Sequence, residues 1–316
     1  MSVLHVAAAQ PGEAADVVAV IRRGFGARPV LEPPSTALDE TVESIARTLG
    51  APAAGGVLAR RDGAPVGAMI FDPSRPAVLG LRRVSVDPAH QGHGVASAMV
   101  GVAEDVATHR GLDGCWLTAR TELPDTVAFW LRRGYHETYR CGSRLELSKA
   151  LPAVVPVPTG EDTRTLGRRL AGLTRPGDLL VLSGDLGAGK TTLTQGIGAG
   201  LRVRGEVTSP TFVIARVHPS TVGGPDLVHA DAYRLGGRAE LDDLDLDASL
   251  AESVTVVEWG DGLSERLADA WLEVRLAPLP GVAPDGGRLV TVRPHGARWA
   301  TVRLRSTLWV HPPAVG

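Results

Sequence analysis

A glycine-rich segment that ends in a lysine and a threonine carries the clearest chemistry in the sequence. Gly184–Thr191 reads GDLGAGKT and matches the pattern GxxxxGK[ST] of phosphate-binding loops. Glycines let backbone N–H groups turn toward phosphate oxygens, the lysine reaches the outer phosphates, and the threonine hydroxyl ligates Mg²⁺. Of 33 basic residues only Lys149 and Lys190 are lysine, so a lysine at this position is informative. The segment predicts a site for a nucleotide phosphate chain and Mg²⁺.

The sequence also places this loop in the context that phosphate binding requires. An apolar strand, Leu179–Ser183, precedes it, and a helix from Lys190 to about Leu201 follows. The N-terminus of a helix adds partial positive charge to the unpaired N–H groups there. The residues that we predict to contact the nucleotide are Asp185, Leu186, Gly187, Ala188, Gly189, Lys190, Thr191 and Thr192.

Two acidic residues at strand ends are candidates to complete the site. Val254–Val257 reads as a buried strand that ends in Glu258, and Leu227–Ala230 ends in Asp231. A phosphate-binding loop needs a second acid that completes the Mg²⁺ shell or polarises water. Taken singly, either carboxylate is also consistent with an ordinary solvated strand end.

A second glycine-containing turn lies in the first half of the chain. Residues 81–96 read LRRVSVDPAHQGHGVA, an apolar strand and a turn that open a helix from about Gly94 to Arg110. Gly92, Gly94 and the free N–H groups of the first helical turn are suited to a pyrophosphate. An ordinary strand-to-helix turn explains the same residues.

The elements that must position these segments fall on either side of a proline-spaced stretch. Lys149–Thr159 reads KALPAVVPVPT, which suits a linker or an edge strand that enters a new domain. We therefore predict two domains, residues 1–150 and 151–316; the alternative is a loop within one large domain. Alternation of strands and helices after the boundary predicts an α/β fold.

The sequence predicts further strands and helices in both halves. In the first half, the predicted strands are Leu4–Ala8, Gly56–Arg60, Val66–Phe71, Leu79–Val86 and Cys115–Ala119, and a helix covers Thr126–Arg133. In the second half, Thr159 and Asp162 are spaced as a capping box for a helix from Glu161 to Ala171. The later predicted strands are Phe212–Val217, Leu272–Leu276, Arg288–Arg293 and Ala300–Leu304.

Composition limits the classes of function. The 316 residues are 44% hydrophobic and 22% charged, with a formal net charge of −2. Neither half has the basic excess that drives independent binding to nucleic acid, so we expect contact with RNA through a partner. The sequence lacks an apolar run of membrane-spanning length, which predicts a cytoplasmic protein without membrane contact. Cys115 and Cys141 stand apart and predict two plain thiols.

Four strings in the second half resemble the TsaE family of bacterial ATPases that act in tRNA threonylcarbamoyladenosine synthesis. In chain order they are GDLGAGKTT at 184–192, TSPTF at 208–212, HADAYRL at 229–235 and VEWGD at 257–261. The resemblance covers about residues 155–305. Ala232 departs from the family, which usually has a bulkier apolar residue there.

The TsaE resemblance implies a role for each matching residue. Lys190 and Thr191 would hold phosphate and Mg²⁺, Glu258 would be the second Mg²⁺ ligand, and Asp231 would lie near the γ-phosphate. Further implied positions are a switch at Ser209–Phe212, Trp259 beside the nucleotide and Thr163 near the base. The implied activity is ATP hydrolysis coupled to TsaB- and TsaD-like partners, which place threonylcarbamoyl on adenosine 37 of tRNA.

Residues 3–147 resemble the GNAT acetyltransferases, a mixed α/β fold, through the turn at 91–96 and the string FWLRRGY at 129–135. The resemblance implies acetyl-CoA as cofactor, with backbone groups of Val84 and Val86 on the pantetheine arm. The residues implied to hold the pyrophosphate are Gln91, Gly92, His93, Gly94, Val95 and Ala96.

The sequence departs from the GNAT family where catalysis would take place. Trp130 stands where many relatives have a tyrosine acid, and Leu123 replaces a common asparagine. An indole cannot serve as that acid. Glu122 and Asp72 are the candidates for a base. Three hypotheses follow: a fused ATPase and acetyltransferase, a fused ATPase whose first half is a non-catalytic acetyl-CoA sensor or docking module, or a P-loop small-molecule kinase.

Overall fold

Two units, each built on its own sheet, make up the computed structural model. It describes residues 3–210, 215–232, 251–259, 268–281 and 286–309. The chain divides into Met1–Lys149 and Ala150–Gly316. Each unit has a seven-stranded mixed sheet in its described residues, so the predicted α/β class is confirmed for both halves. Among the helices that these residues form, none is both long and apolar enough to cross a bilayer.

The first unit has its sheet in the order β1-β2-β3-β4-β5-β7-β6. Its strands are β1 Leu4–Ala8, β2 Gly56–Arg61, β3 Ala64–Asp72, β4 Val78–Val86, β5 Gly114–Arg120, β6 His136–Cys141 and β7 Arg144–Ala150. Its helices are α1 Ala14–Gly26, α2 Val42–Gly50, α3 Val95–His109 and α4 Pro124–Arg132. The five predicted strands and two predicted helices are confirmed to within a few residues. The helices α1 and α2 and the strands β6 and β7 were not predicted.

Strands β4 and β5 pair over only part of their length. They run parallel from Val78–Gly80 against Gly114–Trp116. The β3–β4 register then shifts opposite Ala68–Ile70. At this bulge Arg83 has a φ of 54°, in the left-handed region. Because a bulge bends its strand, β4 separates from β5 and leaves a gap between the two strands.

The second unit has its sheet in the order β10-β11-β12-β9-β13-β14-β8. Its strands are β8 Ala153–Val157, β9 Leu179–Ser183, β10 Ala215–His218, β11 Asp226–Asp231, β12 Ser253–Glu258, β13 Trp271–Pro278 and β14 Arg288–His295. Its helices are α5 Gly160–Ala171, α6 Lys190–Leu201 and α7 Leu304–Leu308. Strands β11, β12, β9 and β13 are parallel, and the outer three are antiparallel to their neighbours. Residues 212–214 of the predicted strand Phe212–Val217 lie outside the described residues.

One predicted strand in the second unit is wrong. Ala300–Leu304 was predicted as a strand, but a 3₁₀ turn covers Ala297–Trp299 and α7 begins at Leu304. Trp299 and Leu304 are fully buried in the core of this unit. Their apolar spacing reflects packing of this turn and helix against the sheet instead of pairing along its edge.

The proline-spaced segment forms an edge strand, one of the two outcomes that its sequence allowed. Strand β8 ends the sheet and pairs with β14, with Pro156 opposite Leu289. Proline lacks an N–H group, so an edge is where a strand tolerates it. The predicted capping box of the next helix is confirmed, with Thr159 Oγ1 accepting from the Asp162 N–H at 3.1 Å.

Helices α5 and α6 pack closely because glycines lie where they cross. A Cβ on Gly196 would overlap the Arg164 carbonyl, and one on Gly167 would overlap the Leu193 carbonyl. Strands β9 and β12 are buried along their whole length beside these helices. This packing fixes the helix whose first turn begins at the glycine loop.

Candidate functional site

Parallel strand register brings the predicted site residues of the second unit to one edge of the sheet. Asp231 pairs with Glu258, and Glu258 pairs with Leu182, one residue before the end of β9. Parallel strands present their carboxyl ends at the same edge, where open α/β sheets bind ligands. The glycine loop and both acids therefore meet.

The glycines of the loop have backbone conformations that other residues rarely adopt. The φ angles of Gly184, Gly187 and Gly189 are 141°, 77° and 98°. Gly189 is the N-cap of α6, and a Cβ on Gly184 would overlap the Leu276 carbonyl. This geometry turns successive N–H groups to one side, as an anion-binding loop requires.

Lys190 folds back over the loop. Its Nζ donates to the carbonyl oxygens of Gly184 at 2.8 Å and Asp185 at 3.1 Å, and it lies 3.7 Å from the centroid of the Trp259 ring. Trp259 has a φ of 59°, and its N–H donates to the Leu182 carbonyl. The indole thus lies beside the lysine that the sequence assigned to the phosphates.

A buried carboxylate links the loop helix to the neighbouring strands. Thr191 Oγ1 donates to Glu258 Oε1 at 3.1 Å, and His229 Nε2 lies 2.9 Å from the same oxygen. Glu258 is 3% exposed and His229 is fully buried. Within the described ranges, no three His, Cys, Asp or Glu side chains form a cluster able to hold a metal. Thr191 and Glu258 instead offer hydroxyl and carboxylate oxygens, which suit Mg²⁺ that retains several waters.

Asp231 lies beside the segment that resembles a switch. Ser209 Oγ donates to Asp231 Oδ2 at 3.4 Å, and Asp231 is 5% exposed. Residues 211–214, which include the end of the predicted switch, lie outside the described residues. The proximity of Ser209 to this acid links the start of that segment to the site.

The remaining nucleotide positions are distributed over the loop and α5. Leu186 is exposed at the loop tip, and the Ala188 N–H donates to the Asp185 carbonyl. Thr192 follows Thr191 in the first turn of α6. Thr163 is buried in α5, and its hydroxyl donates to the Thr159 carbonyl at 3.1 Å. Contact of Thr163 with the base stays a prediction.

The structure adds two residues that the sequence prediction did not assign to the site. His229 orients Glu258, and its place in the string HADAYRL was the available signal. Arg288, the first residue of β14, donates from Nε to the Ala188 carbonyl at 3.1 Å and from Nη2 to the Gly187 carbonyl at 3.2 Å. No local pattern could have shown Arg288, which lies about a hundred residues beyond the loop.

In the first unit, the turn at 91–96 has the geometry of an anion-binding helix start. Gly92 and Gly94 have φ angles of 75° and 76°, and Gly94 is the N-cap of α3. A Cβ on either glycine would meet nothing within 4 Å, so the turn faces open space. The first N–H groups of a helix have no acceptor within it and are available to a ligand.

The two β4 residues predicted to bind pantetheine lie beside the gap. The Val84 carbonyl accepts from Arg28 Nη2 at 3.0 Å, and the Val86 carbonyl accepts from Gln91 Nε2 at 3.4 Å. His93 closes the turn with its ring Nδ1 2.7 Å from the Gln91 carbonyl. A pantetheine arm would therefore have to use the N–H groups of β4 or displace these donors.

A cavity of about 850 Å³ extends from the gap toward the α1–α2 connection. Val84, Leu123 and Trp130 are among its lining residues. Asp, Glu, His and Tyr are absent from the lining that the structure describes. Tyr135, which contacts the lining residue Trp130, is buried, and burial raises its pKa well above the usual value.

Neither candidate base fits the cavity. Two hydrogen bonds from Arg120 stabilise the ionised form of Glu122 and lower its pKa to about 2, so this carboxylate is too weak a base. Asp72 is outside the cavity lining, and its Oδ1 accepts from the Ser74 N–H. The two thiols are unpaired, with Cys115 buried and Cys141 exposed.

The sheet, glycine loop and buried carboxylate of the second unit define a P-loop nucleotide-binding domain. The profile described as "Threonylcarbamoyl adenosine biosynthesis protein TsaE" matches residues 157–280. The TsaE protein of Streptomyces coelicolor is 64% identical over 130 residues, which cover 41% of this chain and 88% of that protein. That of Mycobacterium tuberculosis is 53% identical over 127 residues, covering 38% and 76%. The chain therefore belongs to the TsaE family.

The first unit adds a second family. The profile of the "Acetyltransferase (GNAT) family" matches residues 27–135, so the chain joins a GNAT domain to a TsaE domain. A solved PaiA N-acetyltransferase from Thermoplasma acidophilum, in complex with coenzyme A, is 14% identical and covers 46% of this chain and 97% of its own, with a TM-score of 0.41. Both families indicate an enzyme. The matches favour neither the small-molecule kinase nor the non-catalytic module.

Proposed function

We propose that residues 151–316 are an ATPase domain that serves the threonylcarbamoylation of adenosine 37 in tRNA. The single observation that carries this proposal is the hydrogen bond from Thr191, in the first turn of the helix that follows the glycine loop, to the buried carboxylate of Glu258. Family membership supplies the biosynthetic context, since the relatives are named for tRNA threonylcarbamoyladenosine biosynthesis.

Each residue has a separable part in this proposal. Residues 185–192 surround the phosphates and bind them through the N–H groups that have no acceptor within the loop, unlike that of Ala188, and Lys190 leaves the loop carbonyls to pair with the outer phosphates. Thr191 and Glu258 would hold Mg²⁺, which supplies charge neutralisation along the phosphate chain. Asp231 orients the attacking water or the switch segment through Ser209. Trp259 packs beside the nucleotide and limits access of bulk water.

The proposed partners are TsaB- and TsaD-like proteins, with tRNA bound by them in the cytoplasm. The second half of the chain has 17 basic and 19 acidic residues and lacks the positive excess of a direct tRNA binder. ATP would favour one state of the partner interface, which requires different affinities before and after hydrolysis.

The test uses the full chain with Lys190→Ala and Glu258→Ala. Both variants should lose ATP turnover while circular dichroism stays unchanged, and neither should restore the modified nucleoside in cells depleted of their own TsaE. Arg293→Met is the matched control, because Arg293 forms an exposed ion pair with Glu273 on the same sheet. Full turnover by the Glu258→Ala protein would reject the role of this carboxylate.

We also propose that residues 1–150 bind acetyl-CoA and acetylate an amine. The gap between β4 and β5 and the turn at 91–96 support this proposal. The amine nitrogen attacks the thioester carbon, the C–N bond forms, the C–S bond breaks, and the thiolate leaves with coenzyme A. The described cavity lining includes the thiol of Cys141 but no Asp, Glu, His or Tyr, and we infer that the amine enters the cavity neutral and loses its proton to water.

A thiol-release assay tests this second activity. Turnover should rise with pH until the acceptor amine is deprotonated, without a second ionisation from a protein base. Binding of acetyl-CoA without release of thiol across a panel of amines would instead identify a sensor or docking module.

A further inference from the structure

The charges around the cavity of the first unit indicate the class of acceptor. This inference depends on the acetyl transfer proposed above. We propose that the acetyl acceptor is a small amine that also carries a carboxylate or a phosphate, and that Arg28 and Arg144 bind this anionic group.

The cavity lining is strongly biased in charge. Its lining has no acidic side chain among the described residues, while five arginines contribute to it: Arg28, Arg82, Arg83, Arg120 and Arg144. The whole unit has equal numbers of basic and acidic residues, so the bias is local to this cavity. A cavity lined by one sign of charge concentrates ligands of the opposite sign.

Two of these arginines are hydrogen-bonded to carboxylates outside the lining, and a third has a carboxylate near the limit of ion-pair distance. The pairs are Arg83 with Glu40 at 2.9 Å, Arg120 with Glu122 at 2.7 Å and Arg82 with Asp72 at 3.9 Å. A carboxylate beside an arginine balances its charge and weakens its attraction for an anionic ligand. The two remaining arginines of the lining are Arg28 and Arg144.

Arg28 is a partly buried guanidinium, and no ion pair is recorded for it in the described residues 3–149. Its Nη2 donates to the Val84 carbonyl at 3.0 Å, and its carbon lies 3.9 Å from the centroid of the Phe25 ring. Burial lowers the pKa of Arg28, since its guanidinium is partly shielded from solvent. A guanidinium has five N–H donors, so most remain for an anionic ligand. The Phe25 ring and the Val84 carbonyl hold it ready for one.

Arg144 begins β7 at another part of the cavity wall and is exposed. Among the described residues no carboxylate lies within 4.0 Å of it, and its charge interacts at longer range with Glu146, which Arg75 already pairs. The pyrophosphate of the acyl donor does not explain the two arginines, because none of the residues 91–96 of the predicted pyrophosphate turn lines this cavity. We therefore assign the anion to the other substrate.

The acceptor class follows from these charges. A polyamine or a lysine side chain would bring positive charge to a positive cavity and be repelled. An uncharged amine would enter but gain nothing from Arg28. An amine with a carboxylate or phosphate gains charge-assisted hydrogen bonds, which are roughly twice as strong as neutral ones.

The experiment measures acetyl-CoA-dependent thiol release by the full chain with paired amines. Ethanolamine is compared with O-phosphoethanolamine, propylamine with β-alanine, and putrescine serves as the cationic amine. We expect kcat/KM for at least one anionic amine to exceed that of its uncharged partner about 10-fold or more. A preference for O-phosphoethanolamine identifies the anionic group as a phosphate, and a preference for β-alanine identifies it as a carboxylate.

Substitutions then assign the preference to the named side chains. Arg28→Met and Arg144→Met should each lower kcat/KM for the anionic amine roughly 10- to 100-fold more than they lower kcat/KM for its uncharged partner. Arg28→Lys should restore part of the loss. Arg47→Met is the control, because Arg47 is an exposed arginine of α2 outside the cavity lining. Calorimetry with acetyl-CoA shows whether each variant still binds the donor.

Two different failures are distinguishable. Equal or greater turnover of putrescine or the uncharged amines, with acetyl transfer intact, overturns the anionic acceptor. Equal loss for all amines in both arginine variants overturns it as well, because the arginines would then only support the fold. Absence of thiol release with every amine rejects acetyl transfer itself, and the inference with it.

Discussion

Replacing Arg288 with methionine tests whether the strand after the loop holds the loop in its binding conformation. Arg288 reaches the loop through two hydrogen bonds, to the carbonyls of Ala188 and Gly187 at 3.1 and 3.2 Å. Arg288→Met keeps the aliphatic stem and removes both donors.

The size of the effect follows from those two bonds. An intramolecular hydrogen bond contributes about 0.5–1.5 kcal/mol net, so both together contribute about 1–3 kcal/mol to the bound form of the loop. If the loop of the Arg288→Met protein has to regain this conformation when ATP binds, the same free energy is lost from binding. The Kd for ATP then rises roughly 5- to 150-fold. Calorimetry with a non-hydrolysable ATP analogue and Mg²⁺ measures this change. Urea unfolding of the same protein separates it from a general loss of stability.

Arg293→Met is the matched control for this experiment, since Arg293 lies on the same strand. Its ion pair with Glu273 is exposed, and such pairs contribute little. Arg288→Lys should recover part of the affinity with its single nitrogen. The reasoning is refuted if Arg288→Met binds the analogue as tightly as Arg293→Met.

Three further predictions concern other parts of the chain. His229→Gln should raise the Mg²⁺ concentration needed for half-maximal ATP turnover about 10-fold or more, because outer-shell partners orient metal ligands; an unchanged Mg²⁺ dependence would argue against that role. Gly196→Ala should lower the free energy of unfolding by about 1–3 kcal/mol, measured in urea, because the added methyl overlaps Arg164; wild-type stability would contradict the close packing. Burial raises the pKa of Cys115 to about 12, so at pH 8 it should stay protonated while Cys141 alone reacts with a thiol reagent; two fast equivalents would contradict this.

The glycine loop could be predicted because its chemistry is local. Eight consecutive residues contain the turn, the lysine and the hydroxyl predicted to bind Mg²⁺, and the flanking strand and helix were predicted with the observed bounds. Glu258 and Asp231 could be predicted as strand ends. Their meeting depends on the parallel register of β11, β12 and β9, which a single sequence does not show.

The first unit shows where local patterns fail. Helix α1 contains Val17, Val18 and Val20, which have low helix propensity, and its buried face packs against β3 and β4. Packing on the sheet, and not local preference, makes this segment helical. Glu122 was a plausible base by sequence, but Arg120, two residues earlier, pairs with it. The charge bias of the cavity likewise combines residues from distant strands.

The partnership of β8 with β14 affects how the nucleotide-binding half should be isolated. The family match covers residues 157–280, yet β8 lies before it and β14, Arg288 and Trp299 lie after it. Cloning by the limits of the match would strip the sheet of its last two strands and leave β13 as an unprotected edge prone to aggregation. A fragment that begins at or before residue 150 and continues through residue 309 keeps strands β8 and β14, which cover the edge of β13. It also keeps Arg288, which donates to the loop.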